Sequence, residues 1–130
     1  MGIVIVGHGS STKESRGIYE EIAKKTSEKS EYEVQVGYMK HGRPTLIEAV
    51  NRFVKNGVKK IIIVPLFLLP GLHVREDIPV LLGLKEGETP AFGYDRVEVP
   101  EDVEILYANH IGADDRLADV VLDRALEVLK

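Results

Sequence analysis

Apolar residues follow one another without interruption at two places in the chain, in "IVIV" at 3–6 and in "IIIV" at 61–64. Both runs are rich in β-branched residues, which is typical of strands buried on both faces of a parallel sheet. Polar and apolar residues alternate in "YEVQVGY" at 32–38, which predicts a more exposed strand near the sheet edge. The segment "VEILY" at 103–107 completes a set of four predicted strands.

Between these strands, apolar residues recur every three to four positions, which is the spacing of amphipathic helices. The predicted helices cover 13–28, the segment from Pro44 in a first turn to Asn56-Gly57, a short piece within 77–83, and 113–129. Ser10, Ser11 and Thr12 are candidates for capping the first of them. Their apolar stripes are Ile18, Tyr19, Ile22 and Ala23 in the first helix, Leu46, Val50, Phe53 and Val54 in the second, and Leu117, Val121, Ala125 and Val128 in the last.

The alternation of strands and helices predicts an α/β fold with a parallel sheet and right-handed crossovers. We expect a three-layer sandwich with a four-stranded sheet in the order 2-1-3-4, formed by a single domain over residues 1–130. The polar, Gly- and Pro-containing stretch at 83–102 interrupts this regular pattern. A loop of that length is either a surface loop or a lid over a site.

The composition narrows the class of protein. Hydrophobic residues make up 44% and charged residues 29% of the 130 residues, which fits a soluble globular domain. The formal net charge of −4 does not suggest a nucleic-acid-binding surface. The absence of cysteine excludes disulfides, thiolate catalysis and cysteine zinc sites. No apolar run is long enough to span a membrane and no signal peptide is evident, so we expect a cytoplasmic protein without a membrane partner.

The candidate chemistry lies in two histidine-containing loops. His8 in "VGHGSS" follows the first strand directly, and His73 ends "LLPGLH" after the third strand. Ligands of open α/β sheets bind beyond the carboxyl ends of the strands, and in the order 2-1-3-4 these two strands are neighbours. His41 lies at the same predicted edge, whereas His110 is interpreted as part of a loop. Two imidazoles with open positions between them suit a borderline divalent ion such as Co²⁺ or Ni²⁺.

Other interpretations of this edge stay open at this point. The "GHGSS" turn is also a suitable anion cradle at a helix N-terminus, and a histidine there is also able to accept a proton or to serve packing alone. Arg43, beside Pro44, is the cation of greatest interest for an anionic ligand. No phosphate-binding Gly-Lys-Ser/Thr loop is present, and no organic cofactor is implied.

Four segments together resemble a known family. "IVIVGHGSS", "RPTLIEAV", "IIIVPLFLLPGLHVREDIPVLLG" and "IGADDRLADVVLDR" resemble the short-form archaeal sirohydrochlorin chelatases of the class II chelatase family. These are similar to one half of the larger two-domain cobalt chelatases and protoporphyrin ferrochelatases. The pairing of "GHGS" after the first strand with "PxFLxxGxH" after the third carries the specificity of the resemblance. It implies insertion of Co²⁺, or of Ni²⁺ on the coenzyme F430 route, into sirohydrochlorin.

The resemblance also implies roles for individual residues. It makes His8 a metal ligand and the proton acceptor, and His73 a second metal ligand. Arg43, at a position that contacts substrate in the family, is an expected substrate contact although some relatives carry an acidic residue there. The expected substrate wall consists of Leu68, Leu69, Pro70, Gly71, Leu72 and His73.

A single domain offers one wall to a broad, flat tetrapyrrole, so we expect a homodimer that supplies the second wall. Co²⁺ or Ni²⁺ would be the metal substrate, and sirohydrochlorin the tetrapyrrole substrate. A metal or tetrapyrrole carrier without turnover, a siroheme ferrochelatase and a phosphate-binding α/β domain are the alternatives.

Overall fold

The computed structural model describes residues 1–9, 12–40, 42–69, 71, 73–84 and 99–129, with only the backbone of His73. The expected α/β architecture is confirmed, because four strands alternate with helices along the chain. The elements are β1 Gly2–Gly7, α1 Lys13–Glu28, β2 Glu33–Tyr38, α2 Leu46–Lys55, β3 Lys60–Pro65, a π-helical turn His73–Asp77 that continues into α3 Ile78–Leu81, β4 Glu104–Tyr107 and α4 Asp115–Glu127. No helix in these described ranges is long and apolar enough to cross a membrane.

The four strands form one parallel sheet in the predicted order β2-β1-β3-β4. In the register of the sheet, Val6 of β1 lies opposite Gly37 of β2 on one side and Pro65 of β3 on the other. The carboxyl ends of β1 and β3 therefore lie side by side at one edge. The segments that contain His8 and His73 both start from this edge, which we call the carboxyl edge.

One face of the sheet carries the larger core. Alternate strand residues such as Val4, Ile61 and Ile63 point to this face and are almost completely excluded from solvent. Helix α2 packs on them with Phe53, which is fully buried, and α3 adds Ile78. These β-branched and aromatic side chains fill the space between sheet and helices, so this layer contributes most of the burial that stabilises the domain.

The opposite face is covered mainly by α1. Ile5, Val36 and Tyr38 form a smaller cluster there with Ala23 of the helix, and Tyr19 and Ile22 pack at its border. The two faces together give the expected three-layer sandwich. Ile18, which was predicted to belong to the buried stripe, is 58% exposed, so that part of the prediction is wrong. The residues of α1 that pack on this cluster are Tyr19, Ile22 and Ala23, and Ile18 is not among them.

Strand β2 lies at the sheet edge as predicted, but it is less exposed than its alternating sequence indicated. Val36, Gly37 and Tyr38 are all buried, since helices pack on both faces of its carboxyl-terminal half. In the amino-terminal half, Glu33 is exposed, whereas Val34 and Gln35 are partly buried.

Helix α2 begins two residues later than the proline suggested. Thr45 is the N-cap, and its hydroxyl accepts a hydrogen bond from the Glu48 N–H at 3.2 Å while the Glu48 carboxylate accepts one from the Thr45 N–H. This reciprocal capping box satisfies two of the amide groups that a helix start leaves unpaired. Pro44 therefore precedes the cap and is not part of the first turn. In α1, Thr12 is the N-cap as predicted, whereas Ser10 and Ser11 lie outside the described residues.

Helix α4 is present where the apolar period predicted it, over Asp115–Glu127 within the predicted 113–129. None of its thirteen residues, all of them described, is buried. The apolar stripe that contains Val121 faces solvent in the single chain.

Candidate functional site

His8 stands on a backbone that is held from the side by β2. The carbonyl groups of Gly7 and His8 accept hydrogen bonds from the N–H groups of Met39 and Lys40, both at 3.0 Å. The pairing of β1 with β2 thus extends two residues beyond the end of the regular sheet. At Gly9 the chain turns with a φ of 104°, a conformation that favours glycine. The backbone at the half-buried His8 is consequently held in place by the pairing of β1 with β2.

Helix α1 approaches this turn very closely. A Cβ atom on Gly7 would lie 2.7 Å from the ring of Tyr19, so only glycine leaves room for that ring. Tyr19 contacts Tyr38 edge to face, with ring centroids 5.6 Å apart, and the Tyr38 hydroxyl donates a hydrogen bond to the Arg16 carbonyl at 3.3 Å. Burial raises the pKa of Tyr38 above its usual value, so it stays a neutral donor. The two tyrosines brace α1 against β1 and β2 below His8.

The segment after β3 forms the second part of the carboxyl edge. The Leu66 N–H donates to the Val6 carbonyl at 2.9 Å, which keeps this segment beside the His8 turn. The Phe67 carbonyl accepts from the N–H groups of Ile111 and Gly112, at 3.0 and 3.4 Å. Beyond this anchor, Leu68 and Leu69 are 63% and 76% exposed. Large apolar side chains that are exposed at a binding edge are typical of a surface that contacts an apolar ligand face.

His73 opens a π-helical turn that is tied to the sheet by Tyr107. The Tyr107 hydroxyl donates a 2.6 Å hydrogen bond to the carbonyl of Val74, the residue directly after His73. Val74 is itself buried, and burial raises the pKa of Tyr107 to about 12. Single π-helical turns occur frequently at functional sites. The strand β4 thus supports the backbone directly after His73.

We expect Tyr107→Phe to lower the free energy of unfolding by about 1–3 kcal/mol, because the buried Val74 carbonyl loses its donor. Urea unfolding followed by circular dichroism measures this change. Tyr32→Phe, at a tyrosine that is 43% exposed, is the matched control and should change stability by no more than about 0.5 kcal/mol. Equal stability of the two variants would contradict the supporting role of the Tyr107 hydroxyl.

Arg43 lies beside the capping box of α2 and is paired with it. Its Nε and Nη2 donate to the two carboxylate oxygens of Glu48 at 3.1 and 2.9 Å, although the Arg43 side chain is 81% exposed. The hydrogen bond from Arg43 holds the pKa of Glu48 below its usual value. The guanidinium group is therefore oriented by a carboxylate, and an anionic ligand at Arg43 would share it with Glu48.

We expect Arg43→Ala to raise the pKa of Glu48 toward its ordinary value. A carboxyl group with a depressed pKa in the folded state stabilises the fold above its unfolded pKa, and this stabilisation is lost as the pH falls through the folded pKa. The variant should therefore be slightly less stable than wild type at neutral pH and equally stable at a pH below the folded pKa of Glu48. NMR titration of the Glu48 carboxyl carbon and urea unfolding at both pH values test this. A variant with an unchanged titration would show that Arg43 does not set the pKa.

The structure describes some of the predicted site residues but not all of them. His8, Arg43, Leu68, Leu69 and Gly71 are described, whereas Pro70, Leu72, His41 and the side chain of His73 lie outside the described residues. The topology puts the segments of His8 and His73 at the same edge. Among the residues that are described, no three histidine, aspartate or glutamate side chains gather into a metal site. A shared metal between His8 and His73 therefore stays a prediction.

The sequence did not lead us to two residues that matter in this region, Tyr107 and Glu48. Tyr107 follows Val103 and Ile105 at the alternate spacing of one strand face, so its inward direction was readable, but its bond to the distant Val74 was not. Glu48 stands three residues after Thr45, which is the spacing of a capping box. That signal was present and was obscured by the assignment of Pro44 to the first turn.

Comparison with known proteins gives consistent matches. The CbiX family profile matches residues 2–128. The sirohydrochlorin cobaltochelatase of Methanococcus aeolicus is 42% identical, with 95% of this chain and 96% of that protein covered. The sirohydrochlorin cobaltochelatase of Methanopyrus kandleri is 40% identical, with 99% and 97% covered.

Two solved structures share the fold over nearly the whole chain. A cobalamin biosynthesis CbiX protein from Marinobacter aquaeolei superposes with a TM-score of 0.75 at 32% identity, and 98% of this chain and 96% of that one are covered. The sirohydrochlorin chelatase SirB from Bacillus subtilis, solved in complex with cobalt, superposes with a TM-score of 0.77 at 26% identity. This chain covers only 50% of the SirB chain, although 98% of its own length is matched.

Proposed function

This chain belongs to the CbiX family, and from that premise we propose that it is a sirohydrochlorin chelatase that inserts Co²⁺ into the tetrapyrrole. The observation that carries the proposal is the full-length similarity to sirohydrochlorin cobaltochelatases, combined with a histidine held at the carboxyl end of the central strand β1. We further propose that the protein also inserts Ni²⁺ on the coenzyme F430 route. We propose that it is located in the cytoplasm.

In the proposed reaction His8 and His73 act at the metal. Two pyrrole N–H protons leave the macrocycle while the metal sheds water and enters. A neutral imidazole is able to hold a borderline divalent ion, and an unmetallated one is able to accept a proton near neutral pH. The hydrogen bonds from Met39 and Lys40 hold the backbone of Gly7 and His8, so the imidazole of His8 is attached to a fixed backbone at the carboxyl edge. His8 serves as ligand and base, and His73 as the second ligand.

The proposed substrate wall is the segment after β3. Leu68 and Leu69 present exposed apolar side chains that suit the flat face of a tetrapyrrole, and Pro70, Gly71, Leu72 and His73 continue this wall. Arg43 is the proposed contact for a substrate carboxylate. Because Glu48 already occupies both Nε and Nη2 of Arg43, the substrate carboxylate would bind at the remaining donors or replace Glu48.

We also propose that the enzyme works as a homodimer. This chain covers 50% of the SirB chain, so two copies together would correspond in length to one SirB molecule. A flat ligand that is mostly buried needs walls on both of its faces, and a two-fold symmetric pair provides them from one sequence.

The proposed activity is tested with purified protein, sirohydrochlorin and Co²⁺, Ni²⁺ or Fe²⁺ in turn, with the absorbance change of metal insertion as the readout. We expect Co²⁺ insertion well above the spontaneous rate measured without protein. If the protein binds sirohydrochlorin but does not accelerate the insertion of any of the three metals, the proposed enzyme activity is wrong and the protein is a carrier. Acceleration with Fe²⁺ alone would overturn the cobalt assignment in favour of a ferrochelatase.

A further inference from the structure

Strand β2 is the last strand on its side of the sheet, so its outer edge is not paired with another strand. At the carboxyl end of this edge, the Tyr38 N–H donates to the Pro44 carbonyl at 3.0 Å, and Tyr38 forms a parallel bridge with Thr45. Backbone groups alternate in direction along a strand, so those of Val34 and Val36 point outward like those of Tyr38. No backbone group of the described residues pairs with them there. The outer edge of β2 therefore offers an incomplete ladder of donors and acceptors.

A cleft runs along this outer edge, and we call it the β2 cleft. Its volume is about 310 Å³, at the lower end of the range for ligand pockets. It is lined by residues 34–36 of the strand, by Glu20 and Lys24 of α1 and by Arg52 of α2. Pro44, which is bonded to Tyr38, lines it as well. Because α1 and α2 pack on opposite faces of the sheet, the free strand edge lies between two helices.

The charges at the β2 cleft favour an acidic ligand. Lys24 and Arg52 stand on opposite sides of the strand edge, and both residues are exposed. Neither forms an ion pair with a carboxylate in the described part of the chain. Glu20 is the one acid among the described lining residues, so two cations stand against one carboxylate. This local excess of positive charge is opposite in sign to the net charge of −4 of the whole chain, and it would attract an anionic ligand.

Gln35 adds a requirement for a hydrogen-bond donor. A Cβ atom on Gly37 would lie 2.8 Å from the Leu46 Cα atom of α2, so the side chain of Gln35, two residues before, points to the α2 side of the strand. The Gln35 Oε1 atom is buried, and no described residue donates a hydrogen bond to it. Buried acceptors are normally satisfied, so a ligand that brings a hydroxyl or amide donor to the α2 side would stabilise this group.

We propose that the outer edge of β2 binds an extended acidic segment of a partner protein, which adds a fifth strand to the sheet. Strand addition uses the free backbone groups of an edge for affinity and alternate side chains for specificity. Successive side chains of a strand point to opposite faces, so two adjacent acidic residues would meet Lys24 on the α1 side and Arg52 on the α2 side. A hydroxyl residue two positions from the acid at Arg52 would lie on the side of Gln35.

The proposed contact leaves the candidate functional site open. Strand β1 separates β2 from β3, and the proposed substrate wall follows β3. The added strand would end at Pro44, because Pro44 already occupies the outer edge at Tyr38. The bound segment would therefore not cover Leu68 or Leu69, and the inference does not depend on chelatase activity.

Fluorescence anisotropy with labelled peptides tests the charge requirement. The probe is a capped hexapeptide in which two adjacent aspartates are flanked on each side by one threonine and one valine, and the control peptide carries lysines in place of the aspartates. We expect wild type to bind the aspartate peptide about tenfold more tightly than the lysine peptide, because two attractions are replaced by two repulsions. The Lys24→Glu/Arg52→Glu variant should reverse this preference.

A second double variant is the matched control for this reversal. Lys25→Glu/Lys55→Glu makes the same change in net charge on the same two helices, at exposed positions that do not line the β2 cleft. It should keep the preference of wild type for the aspartate peptide. Absence of binding of the aspartate peptide to wild type, or equal preferences in the two double variants, would overturn the proposal.

Hydrogen exchange followed by NMR tests whether the bound peptide forms a strand. With saturating aspartate peptide, the amides of Val34 and Val36 should exchange about tenfold more slowly, since both gain an acceptor. The amides of Gln35 and Gly37 point to β1 and are internal controls that should change less. Unchanged exchange at Val34 and Val36 with the peptide bound would show that side-chain charges alone hold it. Amides that are already slow without peptide would show that another segment or a second copy covers the edge, and either result overturns strand addition.

Discussion

His8→Ala is expected to lower the rate of Co²⁺ insertion by roughly 10²–10⁴-fold, which is the range that a positioned acid–base group contributes. His73→Ala should lower it less, because the proposed role of His73 is that of a ligand only. The free energy of unfolding should change by no more than about 0.5–1.5 kcal/mol in either variant, since His8 follows the end of β1 and His73 starts the π-helical turn beyond the end of β3. Activity and stability would thus separate clearly.

The other two histidines provide matched controls for this experiment. His41→Ala and His110→Ala remove the same imidazole at other positions of the chain and should keep most of the activity. Sirohydrochlorin binding should survive in all four variants, because Arg43 and the segment from Leu68 to Leu72 are the proposed contacts. Wild-type insertion rates in both the His8→Ala and His73→Ala variants would disprove the two-histidine mechanism.

Phe53→Ala should produce the opposite result, a loss of about 3–5 kcal/mol of stability with little direct effect on the chemistry. Phe53 is fully buried in the larger core, and its ring lies against Gly2 at the start of β1. The six residues of β1 separate that end from the carboxyl edge by about 20 Å. Truncation therefore leaves a cavity far from His8.

Urea unfolding and insertion rates, both measured well below the melting temperature, test this expectation. Ile18→Ala removes a large apolar side chain from a helix position that is 58% exposed, and it should cost no more than about 0.5 kcal/mol. If Phe53→Ala reduced the insertion rate of the folded protein as strongly as His8→Ala, the separation of core and site would be wrong.

The sheet was predictable because its central strands have a composition that few other environments tolerate. Uninterrupted β-branched runs such as 3–6 and 61–64 are typical of strands in a parallel sheet, and right-handed crossovers then leave few strand orders. The position of His8 follows from that order. Its hydrogen bonds with Met39 and Lys40 do not, because they depend on how far β2 continues beyond the regular pairing.

The environment of each helix was less predictable than its position. The periods of α1 and α4 are both amphipathic, yet α1 buries Ala23 and leaves Ile18 exposed, and α4 buries no residue. Periodicity shows which side of a helix is apolar, but it does not show which surface covers that side. The pairing of Arg43 with Glu48 depends on the start of α2. The capping-box spacing of Thr45 and Glu48 indicated that start, but the assignment of Pro44 to the first turn obscured it.

The central place of β1 has a consequence for the dynamics of the site. Strand β1 is bonded on both sides, to β2 and to β3, so its amides open only when the sheet itself comes apart. In hydrogen exchange, the amides of Val4, Ile5 and Val6 should therefore be among the slowest, with rates set by global unfolding. His8 lies two residues after this slowest segment, whereas Leu68 and Leu69 lie beyond the end of β3 and are exposed to solvent. The proposed site thus combines a proton acceptor next to the slowest-exchanging strand with a substrate wall in which the amides of Leu68 and Leu69 should exchange faster.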